Sequence, residues 1–153
     1  MHSQICGQKL KKMADQKQKD ADQMLIGIKP NLVSPTEASY GATTHPEIVA
    51  GIIEYLQERS CQHIVMLESS WVGDKTSESM EVCGYDRLVE KYNVPFWDMQ
   101  LDESSEVDCA GMKLQICSSV RKLDFLINCS SSERTLPDKD HLCIEKYERS
   151  DSK

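Results

Sequence analysis

HIVMLE, residues 63–68, carries four apolar side chains in succession, Ile64 to Leu67, and closes on a glutamate. A strand with one wet face alternates apolar and polar positions, whereas a strand covered on both faces does not. The run therefore reads as a strand covered on both faces, in a largely parallel sheet. Upstream, MLIGIKPNLV (residues 24–33) supplies a second short strand through Leu25, Ile26 and Ile28. Pro30 ends it, because proline has no ladder donor and biases Lys29 toward extended geometry. Between the two lies GATTHPEIVAGIIEYL (residues 41–56), where Ile48, Val49, Ile52, Ile53 and Leu56 recur at helical spacing. Thr44 with Glu47 three residues later forms a capping box, and Pro46 suits a first turn. The spacing predicts a helix capped by Thr44 and ending near Arg59.

Beyond HIVMLE comes a polar loop, SSWVGDKTS (residues 69–77), then a helical region from about Ser77 to Tyr92 interrupted near Gly84. VPFWDMQL (94–101) reads as a strand, with Pro95 suggesting an edge or a strand start. EVDCAGMKLQIC (106–117) reads as a hairpin turning at Ala110-Gly111. SSVRKL (118–123) is a connector or helical turn, and DFLIN (124–128) a fourth core strand. Strands alternating with helices give an α/β fold, a mostly parallel sheet with helices on its faces. Residues 1–23 are polar and are expected to form a loose arm or a frayed helix.

The chain has 153 residues, enough for one domain with a core. A net charge of −7 and no basic run longer than Lys11-Lys12 argue against nucleic acid as a partner. Apolar runs are too short to span a bilayer, and the N-terminus shows no signal-peptide h-region, so the expected location is cytoplasmic. None of the seven cysteines forms a C-x-x-C pair, so their spacing supports neither a ferredoxin-type cluster nor a structural zinc site.

If the first two strands are parallel and joined by the helix, their carboxyl ends share one sheet edge, where open α/β sheets bind ligands. That edge gathers Lys29 and Asn31 from one loop, Thr43, Thr44 and His45 from another, and Glu68, Ser69, Ser70, Trp71 and Asp74 from a third. Lys29 offers a cation, the two threonines sit at a helix N-terminus that favours anions, and His45 and Glu68 are candidates for proton transfer or metal ligation. A small anionic ligand is the expected partner. Each residue also has a plainer role: Thr44 as a cap only, His45 and Lys29 as solvated groups, Glu68 as the ion-pair partner of Lys29, and Trp71 as a lid over the core.

The motifs IGIKPNLVSP, GATTHPEIVAGIIEYL, IVMLESSWVGDKTSESMEVCGYDRLVEKYNVPFWDMQ and LDFLIN, in this order, resemble the bacterial and archaeal family of domain of unknown function 362. The resemblance covers Leu25 to Asn128. It implies an association with iron–sulfur proteins of unassigned reaction, and places the family's recurrent polar positions on Lys29, Asn31, Thr44, His45 and Glu68. A metal ion or iron–sulfur cluster is then implied for a full-length parent.

The sequence departs from the family in two places. Residues 1–23 lack an initial apolar strand. After DFLIN the family continues with a V-P-x-L-K-x-H pattern, whereas this chain turns polar: 11 of residues 129–153 are charged. Synonymous codons for Cys129 to Leu136 can be written TGT-TCC-AGT-TCT-GAA-AGG-ACA-TTG. Reading from the second base gives V-P-V-L-K-G-H, and permitted codons continue the shifted frame through Ser152 as C-Q-T-K-I-T-C-A-L-K-N-M-K-G-L-I-P. The expectation is a frameshift near codon 128, leaving an incomplete domain at 24–128 and a frame-derived tail at 129–153. Three functional readings stand: part of a metal- or iron–sulfur-linked enzyme, a non-catalytic anion-binding module, or a truncated product without activity of its own. The substrate, reaction, metal and oligomeric state are left open.

Overall fold

In a computed structural model, residues 2–129 are described, with side chains from residue 7 onward. The tail from residue 130, where the shifted frame was read, lies outside them. Helix α1 (His2–Lys17) precedes strand β1 (Leu25–Lys29), helix α2 (Pro46–Gln57) and strand β2 (His63–Glu68). Helices α3 (Thr76–Val82) and α4 (Tyr85–Tyr92) lead to strand β3 (Phe96–Asp98). The hairpin of β4 (Ser104–Cys109) and β5 (Met112–Cys117), the short helix α5 (Ser118–Lys122) and strand β6 (Phe125–Asn128) complete the order.

The main sheet runs β3-β2-β1-β6, and every neighbouring pair is parallel. The fold is α/β, and HIVMLE is an inner strand. Its period-2 geometry divides its side chains between two cores. Ile64 and Met66 join Ile26, Ile28, Phe125 and Ile127 in the larger cluster, facing Val49, Ile53 and Leu56 of α2. Val65 and Leu67 face the other way, against Leu123. The α2 triad repeats at i, i+4 and i+7 and is fully buried, each side chain contributing about 1.5–3 kcal/mol of burial. Ile48, expected on the same face, is 47% exposed.

After β3, at one edge, the chain crosses the second face to reach β6 at the other. Gly27 makes room for it: a Cβ there would lie 2.5 Å from Leu123 Cδ1 and 2.9 Å from Leu67 Cδ2. Gly84 separates α3 from α4 at φ 75°, and Ala110 and Gly111 both have positive φ at the hairpin tip, so both sequence-read breaks fall where expected. Pro95 precedes the edge strand β3, and its carbonyl accepts from Met66 N–H.

Of the two forms expected for the N-terminal segment it takes the helical one, and the helix is docked. Leu10 of α1 is buried in the larger core, with Met13 and Ala14 packed against it. At its end, Lys17 and Lys19 bind the Asp124 carboxylate at 3.0 and 2.7 Å, and Leu25 N–H donates to the same group at 3.0 Å. Among the described residues, no helix is long and apolar enough to cross a membrane.

Candidate functional site at the carboxyl edge

The parallel register brings the ends of β1, β2 and β6 together. Lys29, last in β1, is paired with Asn128, last in β6, and Glu68 ends β2. The chain leaves β1 for β2 on one side, while β6 lies on the other. The strand order therefore reverses between β1 and β6, the position at which open α/β sheets form ligand crevices.

Lys29 Nζ donates to Glu68 Oε2 at 2.8 Å. The same oxygen accepts from Leu32 N–H at 3.3 Å, and Oε1 accepts from Ser69 N–H at 2.7 Å. The Glu68 side chain is 5% exposed, so this buried carboxylate is held by three donors. Its observed role is to fasten the loop after β1 to the end of β2. The Lys29 side chain keeps 31% exposure, so it is the more accessible side chain of the pair.

Thr44 departs from the sequence expectation. The N-cap position of α2 belongs to His45, with Pro46 as the first helical residue and no side-chain cap bond. Thr44 Oγ1 instead accepts from Asn31 N–H at 2.9 Å, while Thr44 N–H donates to Asn31 O at 2.9 Å. The threonine thus zips the loop after β1 onto the entry to α2. It also reaches β6, its hydroxyl lying 3.4 Å from Cys129 O, and its carbonyl accepts from Tyr85 O–H at 3.0 Å. Asn31 Nδ2 donates to Ala42 O, and Thr43 Oγ1 to Thr36 O, both at 2.8 Å. His45 Nδ1 lies 3.9 Å from the exposed Glu47 carboxylate.

The third loop is equally fixed. Ser70 Oγ lies 2.6 Å from Leu32 O and 2.9 Å from Ser79 Oγ. Ser69 is exposed, and Asp74 joins the turn through its backbone. Trp71 is 70% exposed, so it is not a lid over the core. Sequence reasoning had no signal for the supporting residues Thr76, Ser79, Tyr85 and Gln100, because each acts through a partner outside its own element. Burial pushes the Tyr85 hydroxyl above its ordinary range. It also pushes the Cys129 thiol up to about 12, against the opposing pull of the Lys29 charge. Burial likewise raises Cys83, whose Sγ lies 3.1 Å from Thr36 O.

Among the described residues, no group of three or more His, Cys, Asp or Glu side chains is placed to hold a metal ion. Among the described residues, Cys83, Cys109, Cys117 and Cys129 are free thiols. This donor set does not fit an iron–sulfur cluster, which needs converging thiolates. At this edge Lys29 and His45 are partly buried, while Ser69 and the Trp71 ring are exposed.

The chain matches the family model described as Domain of unknown function (DUF362) over residues 26–132. No curated protein and no solved structure matches it.

Proposed function

The chain belongs to the family of domain of unknown function 362, and we propose that its residues 24–128 supply the anion-binding edge of a metal- or iron–sulfur-associated enzyme. The observation that carries this reading is the placement of Lys29: a partly exposed side chain at the strand-order reversal, its ammonium oriented by a buried carboxylate. In this reading Lys29, Asn31, Thr43, Thr44, Ser69, Trp71 and Asp74 shape the ligand site, and His45 is the candidate for moving a proton. Glu68 is a weaker candidate for that step than its residue type suggests, because its carboxylate is committed to three donors. The metal or cluster would take its ligands from outside the described residues. The cytoplasm is the proposed location, in keeping with the free thiols.

Calorimetric titration of the 153-residue chain with inorganic pyrophosphate tests the anion site. Saturable binding that weakens as salt is raised is the expected result, and no binding at millimolar pyrophosphate refutes it. The three donors held by Glu68 also favour a second reading, a module that binds the anion without chemistry. Turnover by the protein encoded in the restored frame separates the two. Iron and acid-labile sulfide measured in that protein test the cofactor: their absence removes it from the proposal.

We also propose that residues 129–153 arise from one extra nucleotide near codon 128. The support is that synonymous codons for residues 129–152 allow a shifted frame that opens V-P-V-L-K-G-H and stays open through Ser152. The nucleotide sequence across codons 120–153 decides this, since a gene whose shifted frame encodes anything else removes the proposal.

A further inference from the structure

Trp71 and Val72 are 70% and 95% exposed on the turn after β2. Neither belongs to a core cluster, so packing does not account for the indole. The turn that carries it is held at several points. Gln100 Nε2 donates to Ser70 O at 3.2 Å and to Asp74 O at 2.9 Å, while its Oε1 accepts from Thr76 N–H at 3.0 Å. Ser70 N–H donates to Thr76 Oγ1 at 3.1 Å, Trp71 N–H to Val33 O at 2.9 Å, and Asp74 N–H to Trp71 O at 2.8 Å. The ring lies beside Gly73, whose Cβ position would be 3.8 Å from Cε3, and most of its surface faces solvent. Ordering a flat aromatic surface before anything binds reduces the cost of binding to it.

The location narrows what would use that surface. Trp71 follows Glu68 by three residues, so their Cα atoms lie within about 11 Å. Through Val33 its backbone is tied to the same loop that leaves Lys29. The aromatic surface and the oriented ammonium therefore both stand on the carboxyl edge of the sheet. We propose that the anion bound at this edge carries a flat ring, as a nucleotide does, and that the ring stacks on Trp71 while the phosphates meet Lys29. This inference rests on the anion-binding reading above and adds the ligand class to it.

The test titrates the 153-residue chain with ADP and with inorganic pyrophosphate, comparing the unaltered protein with W71A and W71F. Base–aromatic stacking corresponds to roughly 5- to 150-fold in affinity. ADP should bind tighter than pyrophosphate by a factor in that range. W71A should erase the difference between the two probes, and W71F should retain most of it. Because Trp71 is exposed, both variants should keep the parent's urea midpoint. Equal affinities for the two probes, or a difference that survives W71A, overturns the ring assignment and leaves the anion site standing. Binding of neither probe overturns both. A Trp71-dependent dimer, detected by sedimentation, that abolishes ADP binding also overturns the inference, because the indole would then serve a protein contact.

Discussion

Removing the Glu68 carboxylate tests whether one side chain holds the carboxyl edge together. In Glu68→Ala, Lys29 loses its counter-charge, and Leu32 N–H and Ser69 N–H lose their acceptor. Breaking a buried ion pair from one side costs about 3–5 kcal/mol, and a buried donor left unmet costs about 1–3 kcal/mol. The 31% exposure of Lys29 lets water recover part of this, so the expected loss is about 3 kcal/mol. That is a large fraction of the roughly 5–15 kcal/mol that stabilises a domain. Lys29→Met should cost less, about 1–2 kcal/mol, because Glu68 keeps both backbone donors. The double variant should be little worse than Glu68→Ala alone, since the pair is already broken. Urea unfolding followed by circular dichroism reads these values as midpoint shifts, with about 1–3 M expected for Glu68→Ala. Amide exchange should rise at Leu32 and Ser69 first. The reasoning is refuted if Glu68→Ala stays within about 0.5 kcal/mol of the parent, or if the two single effects simply add.

Thr44→Ala should destabilise by about 1–3 kcal/mol, because Asn31 N–H loses its acceptor, whereas Thr44→Ser should restore most of the loss in the same urea assay. A small Thr44→Ala effect, with unchanged exchange at Asn31, would contradict the observed bridge. Burial works against ionisation of Asp124, but Lys19, Leu25 N–H and Lys17 outweigh it and hold its carboxyl below the usual range. A depressed folded-state value stabilises above the unfolded value of about 4, and that contribution is lost as pH falls through the folded value. The parent should therefore lose more stability than Asp124→Asn between pH 5 and lower pH, and parallel pH profiles would count against the α1 clamp. Thiol alkylation mapped by peptide mass spectrometry should label exposed Cys109 quickly, and Cys61, Cys83 and Cys129 only on unfolding. Rapid labelling of Cys129 in the folded protein would show that the end of β6 is not packed as described.

The strands were legible because their signal is local. Ile64–Leu67 and Ile26–Ile28 are apolar without alternation, and that is what burial on two faces requires. The break at Gly84 and the Ala110-Gly111 turn were legible for the same reason, since glycine announces positive φ by its residue type. Thr44 was misassigned because a capping box is a rule about neighbours in sequence. The donor that captured its hydroxyl, Asn31 N–H, comes from another loop and competes successfully with the helix end. Docking of α1 was hidden for a stronger form of that reason. Its anchors are one buried leucine in a polar segment and two lysines whose partner lies more than a hundred residues away. At the edge, residue types named Lys29 and Glu68 together, but only geometry showed that the carboxylate holds three donors and that the indole of Trp71 stands in solvent.

The central claim, that the carboxyl edge of the sheet is a ligand site, is tested most directly by titrating isotopically labelled chain with inorganic pyrophosphate and following backbone amide resonances. The account expects saturable shifts at Asn31 and Leu32, Thr43 to Glu47, and Ser69 to Trp71, with the amino-terminal edge around Leu25 and Asp124 unmoved. Shifts absent at millimolar pyrophosphate, or spread over the lysines of α1 instead, would contradict it.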